Sequence, residues 1–86
     1  MEPILLRKQI EQGRMLVMRL EKLSPDSRWA RRASGARGNL LKLLDELQEK
    51  MDQGQVVQPP DIQRLESLIY FGFFILEKAA REIIAG

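Results

Sequence analysis

Apolar and small residues recur along the first segment at Leu6, Ile10, Gly13, Val17 and Leu20, in steps of 4, 3, 4 and 3. That step is the heptad spacing of a helix packing along one seam. Leu16 and Leu23 widen the stripe, while Arg7, Glu11, Arg14 and Glu21 fall opposite it. Pro3 suits a first helical turn, where its missing N–H costs nothing. The pattern predicts a helix over about 3–23, stopped at Ser24-Pro25. A second stripe follows at Trp29, Ala33, Ala36, Leu40, Leu43 and Leu47, with Met51 continuing the line. Ser24 or Ser27 could cap this helix.

The stripe keeps its phase through Ser34-Gly35-Ala36-Arg37-Gly38-Asn39, which predicts one helix over about 26–53. The competing reading breaks it at 34–39 and restarts it with Asn39 as cap, because two glycines in a helix cost about 2 kcal/mol against alanine. Gly54 is a natural C-terminal stop, and Val56-Val57-Gln58-Pro59-Pro60 reads as extended chain. A third helix is expected over about 60–85, with its seam at Ile62, Leu65, Ile69, Gly72, Leu76, Ala79 and Ile83. The expected fold is all-α: a single domain over 1–86, an antiparallel up-down-up three-helix bundle, which dimerisation would extend into a larger helical bundle.

Composition agrees. The 86 residues include thirteen Leu, no Thr and only three Val, and Leu, Arg, Lys, Gln and Glu keep most of their rotamer freedom in helices. Cys and His are both absent, which removes thiol and imidazole catalysis, disulfides and nearly every transition-metal site. No cofactor or metal is expected. The serines have no base nearby in any motif, and Asp45, Glu46, Glu49 and Asp52 have the spacing of a solvated helix face. The expectation is therefore a protein that is not an enzyme. A basic signal-peptide start and a membrane-length apolar run are both missing, so the expected location is the cytoplasm.

Two features exceed a plain bundle. Nine uncharged residues, Leu68 to Leu76, make the middle of the third helix apolar around its whole girth. Tyr70, Phe71, Phe73 and Phe74 are the candidate association surface, and self-association or a helical protein partner is the first expectation, in the style of small bacterial adaptors or regulators. Covering of these rings by long Arg and Lys stems is the plainer account. A membrane partner is not expected, because the helix mixes four acidic with three basic residues.

Charge is the second feature. The net charge is +2, but residues 1–43 hold ten basic and four acidic residues, and residues 44–86 hold four and eight. Arg28, Arg31, Arg32, Arg37 and Lys42 form the candidate basic face of the second helix. Nucleic acid or another anionic partner is the alternative function. The plainer account is a solvated face neutralised by Glu66, Glu77 and Glu82 of the third helix. The glycines Gly13, Gly35, Gly38 and Gly72 are expected to let helix backbones approach or to make room for Trp29 or Phe71.

Two short resemblances end without an assignment. Gly35-Ala-Arg-Gly38 resembles the glycine loop of KH domains, a motif set in a fold with a β-sheet, which this chain lacks the segments to build. Leu6-Arg7-Lys8-Gln9-Ile10 resembles the opening of the all-helical chorismate mutases, but their first helix is far longer, and Arg31-Arg32 stands where they carry an Arg-Glu pair.

Overall fold

The computed structural model describes residues 4–85, and side chains from 4 to 82. Pro3 and the side chain of Ile83 lie outside that range. Three helices form: α1 (Ile4–Glu21), α2 (Ala30–Asp52) and α3 (Pro59–Ala85). Each packs against both others. Gln9 reaches Glu66, and Gly72 lies against Leu16, so α1 and α3 run in the same direction. Lys50 meets Asp61 while Arg28 meets Glu82, so α2 runs against α3. The chain is an up-down-up three-helix bundle, 48 by 18 by 18 Å.

The core is a column of aliphatic side chains. Leu16, Leu40, Leu43, Leu44, Leu47, Leu65 and Ile75 are its largest fully buried members, and among the described residues no polar or charged one is buried with them. Two heptad positions differ from the expected seams. α1 buries Leu16 and leaves Val17 half-buried; α3 buries Ile75 and leaves Leu76 half-buried. Each helix faces two neighbours rather than one, so its buried arc is broader than a two-helix seam and takes in the flanking position.

α2 is continuous through Gly35 and Gly38, but it starts at Ala30, not at 26. Neither serine is its cap residue; Trp29 is, without a side-chain cap. Residues 24–29 instead form successive turns, in which Ser27 N–H donates to Ser24 C=O and Ala30 N–H to Ser27 C=O, both at 3.1 Å. The other end is a Schellman stop. Gly54 has φ +72°, Gly54 N–H donates to Met51 C=O at 3.1 Å and Gln55 N–H to Lys50 C=O at 2.8 Å. That left-handed conformation suits glycine.

The four glycines expected to aid packing divide into two pairs. Gly13 and Gly72 are buried at helix contacts, where an added Cβ would lie 3.1 Å from Leu44 and 2.5 Å from Leu16. The room they leave is taken by leucines, not by Trp29 or Phe71. Gly35 and Gly38 correct the expectation: both are exposed, and an added Cβ would meet nothing within 4 Å. Neither has a positive φ. Alanine at each should stabilise the bundle by about 0.5–1 kcal/mol. At about 4–8 °C per kcal/mol for a domain of this size, the double variant should melt several degrees above the parent.

No helix among the described residues is long and apolar enough to cross a membrane.

A candidate aromatic and cationic face

Stripes of side chains on α2 and α3 define this face. On α3, Arg64, Ser67, Phe71, Phe74 and Lys78 follow in steps of 3, 4, 3 and 4, which puts them on one side of the helix. On α2, Arg32, Gly35, Asn39 and Lys42 do the same in steps of 3, 4 and 3, and Arg28 precedes them in the turn before the helix. The antiparallel packing sets these stripes side by side. Asn39 and Lys42 line a groove of about 660 Å³ with Gln63, Arg64, Ser67 and Leu68.

At the other end, Trp29 meets Phe74 edge-on, with ring centroids 5.8 Å apart and planes at 83°. Phe71 stacks on Phe74 at 6.3 Å and 13°. The Arg32 guanidinium sits 4.8 Å above Trp29, and Lys78 Nζ lies 5.4 Å from the Phe74 centroid. Edge-to-face and offset ring pairs contribute about 0.5–1.5 kcal/mol each, and exposed cation–π contacts about 0.5–1. The rings are thus ordered against one another yet open to water: Phe71 is 41% exposed and Phe74 37%.

The residues singled out from the sequence scatter more widely. Phe73 is half-buried and packs against the core. Tyr70 is the most exposed of the four aromatics, at 76%. Arg31 is exposed and lies one position outside the stripe. Arg37 is half-buried and in line with Leu44 and Gln48, which meet Gly13 and Arg14 of α1, so it leaves the face. Arg28, Arg32 and Lys42 stay on it. Sequence reasoning assigned no site role to Asn39, Arg64, Ser67 or Lys78; the 3-and-4 stripe through Phe71 and Phe74 would have found the three on α3.

Little of the charge is neutralised. Of the three glutamates expected to balance the basic residues, Glu66 accepts from Gln9 on α1 at 3.2 Å, and Glu77 accepts from Arg81 on its own helix at 2.7 Å. Only Glu82 meets the basic segment, with Arg28 Nε 3.7 Å away. Lys50 and Asp61 pair at 2.7 Å beyond the groove. Arg32, Lys42, Arg64 and Lys78 have no carboxylate within ion-pair distance among the described residues.

Glu82 also fixes the edge of the face. It accepts the Ser27 hydroxyl at 2.6 Å and the Arg28 N–H at 2.9 Å, and Ser27 Oγ in turn accepts Trp29 N–H at 3.1 Å. The Ser27 hydrogen bond, then that of the Arg28 backbone, holds the Glu82 carboxyl below its usual range. The Lys50 hydrogen bond does the same for Asp61. A carboxyl with a lowered folded pKa stabilises the fold in full above the ordinary carboxylate range of about 4, and that contribution is lost as pH falls through its folded pKa. The melting temperature of the parent should therefore drop more between about pH 5 and pH 3 than that of Glu82→Gln, measured by circular dichroism.

No group of three or more acidic side chains converges as a metal site among the described residues. The chain matches no protein-family model, no curated protein and no solved structure.

Proposed function

We propose that the protein is a non-catalytic binding module that takes an anionic partner across the α2/α3 face. The observation that carries this reading is the Trp29–Phe74–Phe71 ring chain set between Arg32 and Lys78, continuous with a groove bearing Lys42 and Arg64. Ordered, exposed rings among unpaired cations combine contact area with a field for negative charge.

Trp29 is the only tryptophan and lies within the face, so its emission reports occupancy. Titration with inorganic polyphosphate at low salt should change that emission, with an affinity that falls as salt rises. The Arg32→Ala, Lys42→Ala, Arg64→Ala triple variant should lose the response. An unchanged emission in the parent at low salt, or equal binding by the triple variant, would sink the reading.

Homodimerisation is the second reading, favoured by the exposure of Tyr70 beside Phe71 and Phe74. A two-fold axis on the ring chain would bring Arg32 and Lys78 against their own copies, and that repulsion favours the anionic partner. Light-scattering mass separates the readings: about 10 kDa at all concentrations for the first, about 20 kDa and indifferent to salt for the second.

A further inference from the structure

We infer that the anionic partner is a single-stranded nucleic acid, its phosphates held by Lys42, Arg64 and Arg32 and its bases stacked on Phe71 and Phe74. This rests on the α2/α3 face being the binding surface, and adds to it the chemistry of the occupant.

The face is divided along its length. The groove half carries Lys42 and Arg64 with Asn39, Gln63 and Ser67, whose amides and hydroxyl serve phosphate and sugar oxygens. The other half carries rings. Phe71 and Phe74 are nearly parallel, at 13°, and both are over a third exposed, so a flat base can extend the stack. An acidic amphipathic helix would need its apolar anchors to enter a continuous apolar groove, and here five of the seven residues lining the groove beyond the rings, Asn39, Lys42, Gln63, Arg64 and Ser67, are polar or charged. A duplex hides the faces of its bases, whereas a single strand offers them. From Arg64 to Lys78 the α3 stripe runs about 21 Å at the helical rise, which is about six nucleotides at stacked spacing and fewer when the strand is drawn out. Binding should be tolerant of sequence, because stacking uses the π-face that every base has.

The test is fluorescence anisotropy with a labelled thymidine oligonucleotide of about eight nucleotides. Its comparators are an abasic phosphodiester of the same length, a duplex and polyglutamate. The oligonucleotide should bind with an affinity that falls about 20-fold between 50 and 200 mM salt, as about three single-strand phosphate contacts require. The abasic strand should bind at least about 5-fold more weakly, and Phe71→Ala should bring the oligonucleotide down to the abasic level. Lys42→Ala should instead flatten the salt dependence while the preference for bases persists. Phe71 and Lys42 are exposed, and an unchanged circular dichroism spectrum confirms that each variant folds.

Equal binding of the abasic strand, or a Phe71→Ala variant that binds like the parent, overturns the nucleic-acid assignment. Tighter binding of polyglutamate or of the duplex overturns it too, in favour of an acidic chain or a backbone-only contact. In each of those cases a polyphosphate response at Trp29 still supports the broader reading, whereas silence toward polyphosphate removes both.

Discussion

Leu16→Ala should lower the stability of the bundle by about 2–5 kcal/mol. Leu16 is fully buried at the level where α1 meets α3, and its branch lies directly over the backbone of Gly72. Truncation removes the transfer energy of the lost methyl and methylene groups. It also leaves a void that the neighbours fill only in part, because Gly72 has no side chain to move into it. A domain of this length is stable by about 4–13 kcal/mol in total, so the loss is a large fraction of what exists. With a urea slope of about 1 kcal/mol/M the unfolding midpoint should fall by about 2 M or more at constant slope. A loss below about 1 kcal/mol would mean that α1 and α3 close over the gap.

Gly72→Ala should cost about 1–3 kcal/mol, although alanine is the better helix former. The new Cβ would stand 2.5 Å from Leu16 Cδ2 and 2.9 Å from Cγ. The second distance decides the sign. It involves the branch point of a fully buried side chain, so relief requires the helices to part and not just a methyl to swing. The same change at Gly35 or Gly38 has the opposite sign, since nothing stands near. The two core substitutions should also compensate. In the Leu16→Ala background the methyl added by Gly72→Ala loses its clash and fills part of the void. The double variant should therefore be at least about 1 kcal/mol more stable than the sum of the single losses, in urea unfolding. Additive losses would show that Leu16 and Gly72 do not constrain each other.

The three helices are legible because each carries its own periodic seam, and a seam needs no knowledge of its partner. Gly54 is legible for the same reason: its left-handed stop closes on Lys50 and Met51, within its own helix. The start of α2 is not. Ser24-Pro25-Asp26-Ser27 offers local caps, but the turn is held by Glu82, whose carboxylate receives Ser27 and Arg28 from the far end of the chain. Gly35 and Gly38 look like Gly13 and Gly72 in sequence; only the rotation of α2 about its axis separates the open pair from the buried one.

The face is half legible. The cations singled out from the sequence lie within residues 28–42 and the rings within 70–74, and in the sequence these read as rival surfaces with rival functions. The antiparallel register makes them neighbours, with Trp29 as the link. The nine-residue apolar run also overstates the exposed surface, since Leu68, Ile69, Phe73, Ile75 and Leu76 are spent on the core.

The outline of the bundle has its own consequence for how the molecule moves in water. A rounded domain of this length has a radius of gyration of about 12 Å; this one has 14.2 Å, from a body more than twice as long as it is wide. Drag acts over that full length, so the protein diffuses slowly for its mass and leaves a sieving column ahead of globular standards of equal weight. All three helices lie along the long axis, so their N–H vectors reorient mainly by end-over-end rotation, the slowest motion the rod has. Their amides should relax together and faster in the transverse plane than those of a rounded protein of 10 kDa, giving a single monomer the relaxation signature of a heavier particle.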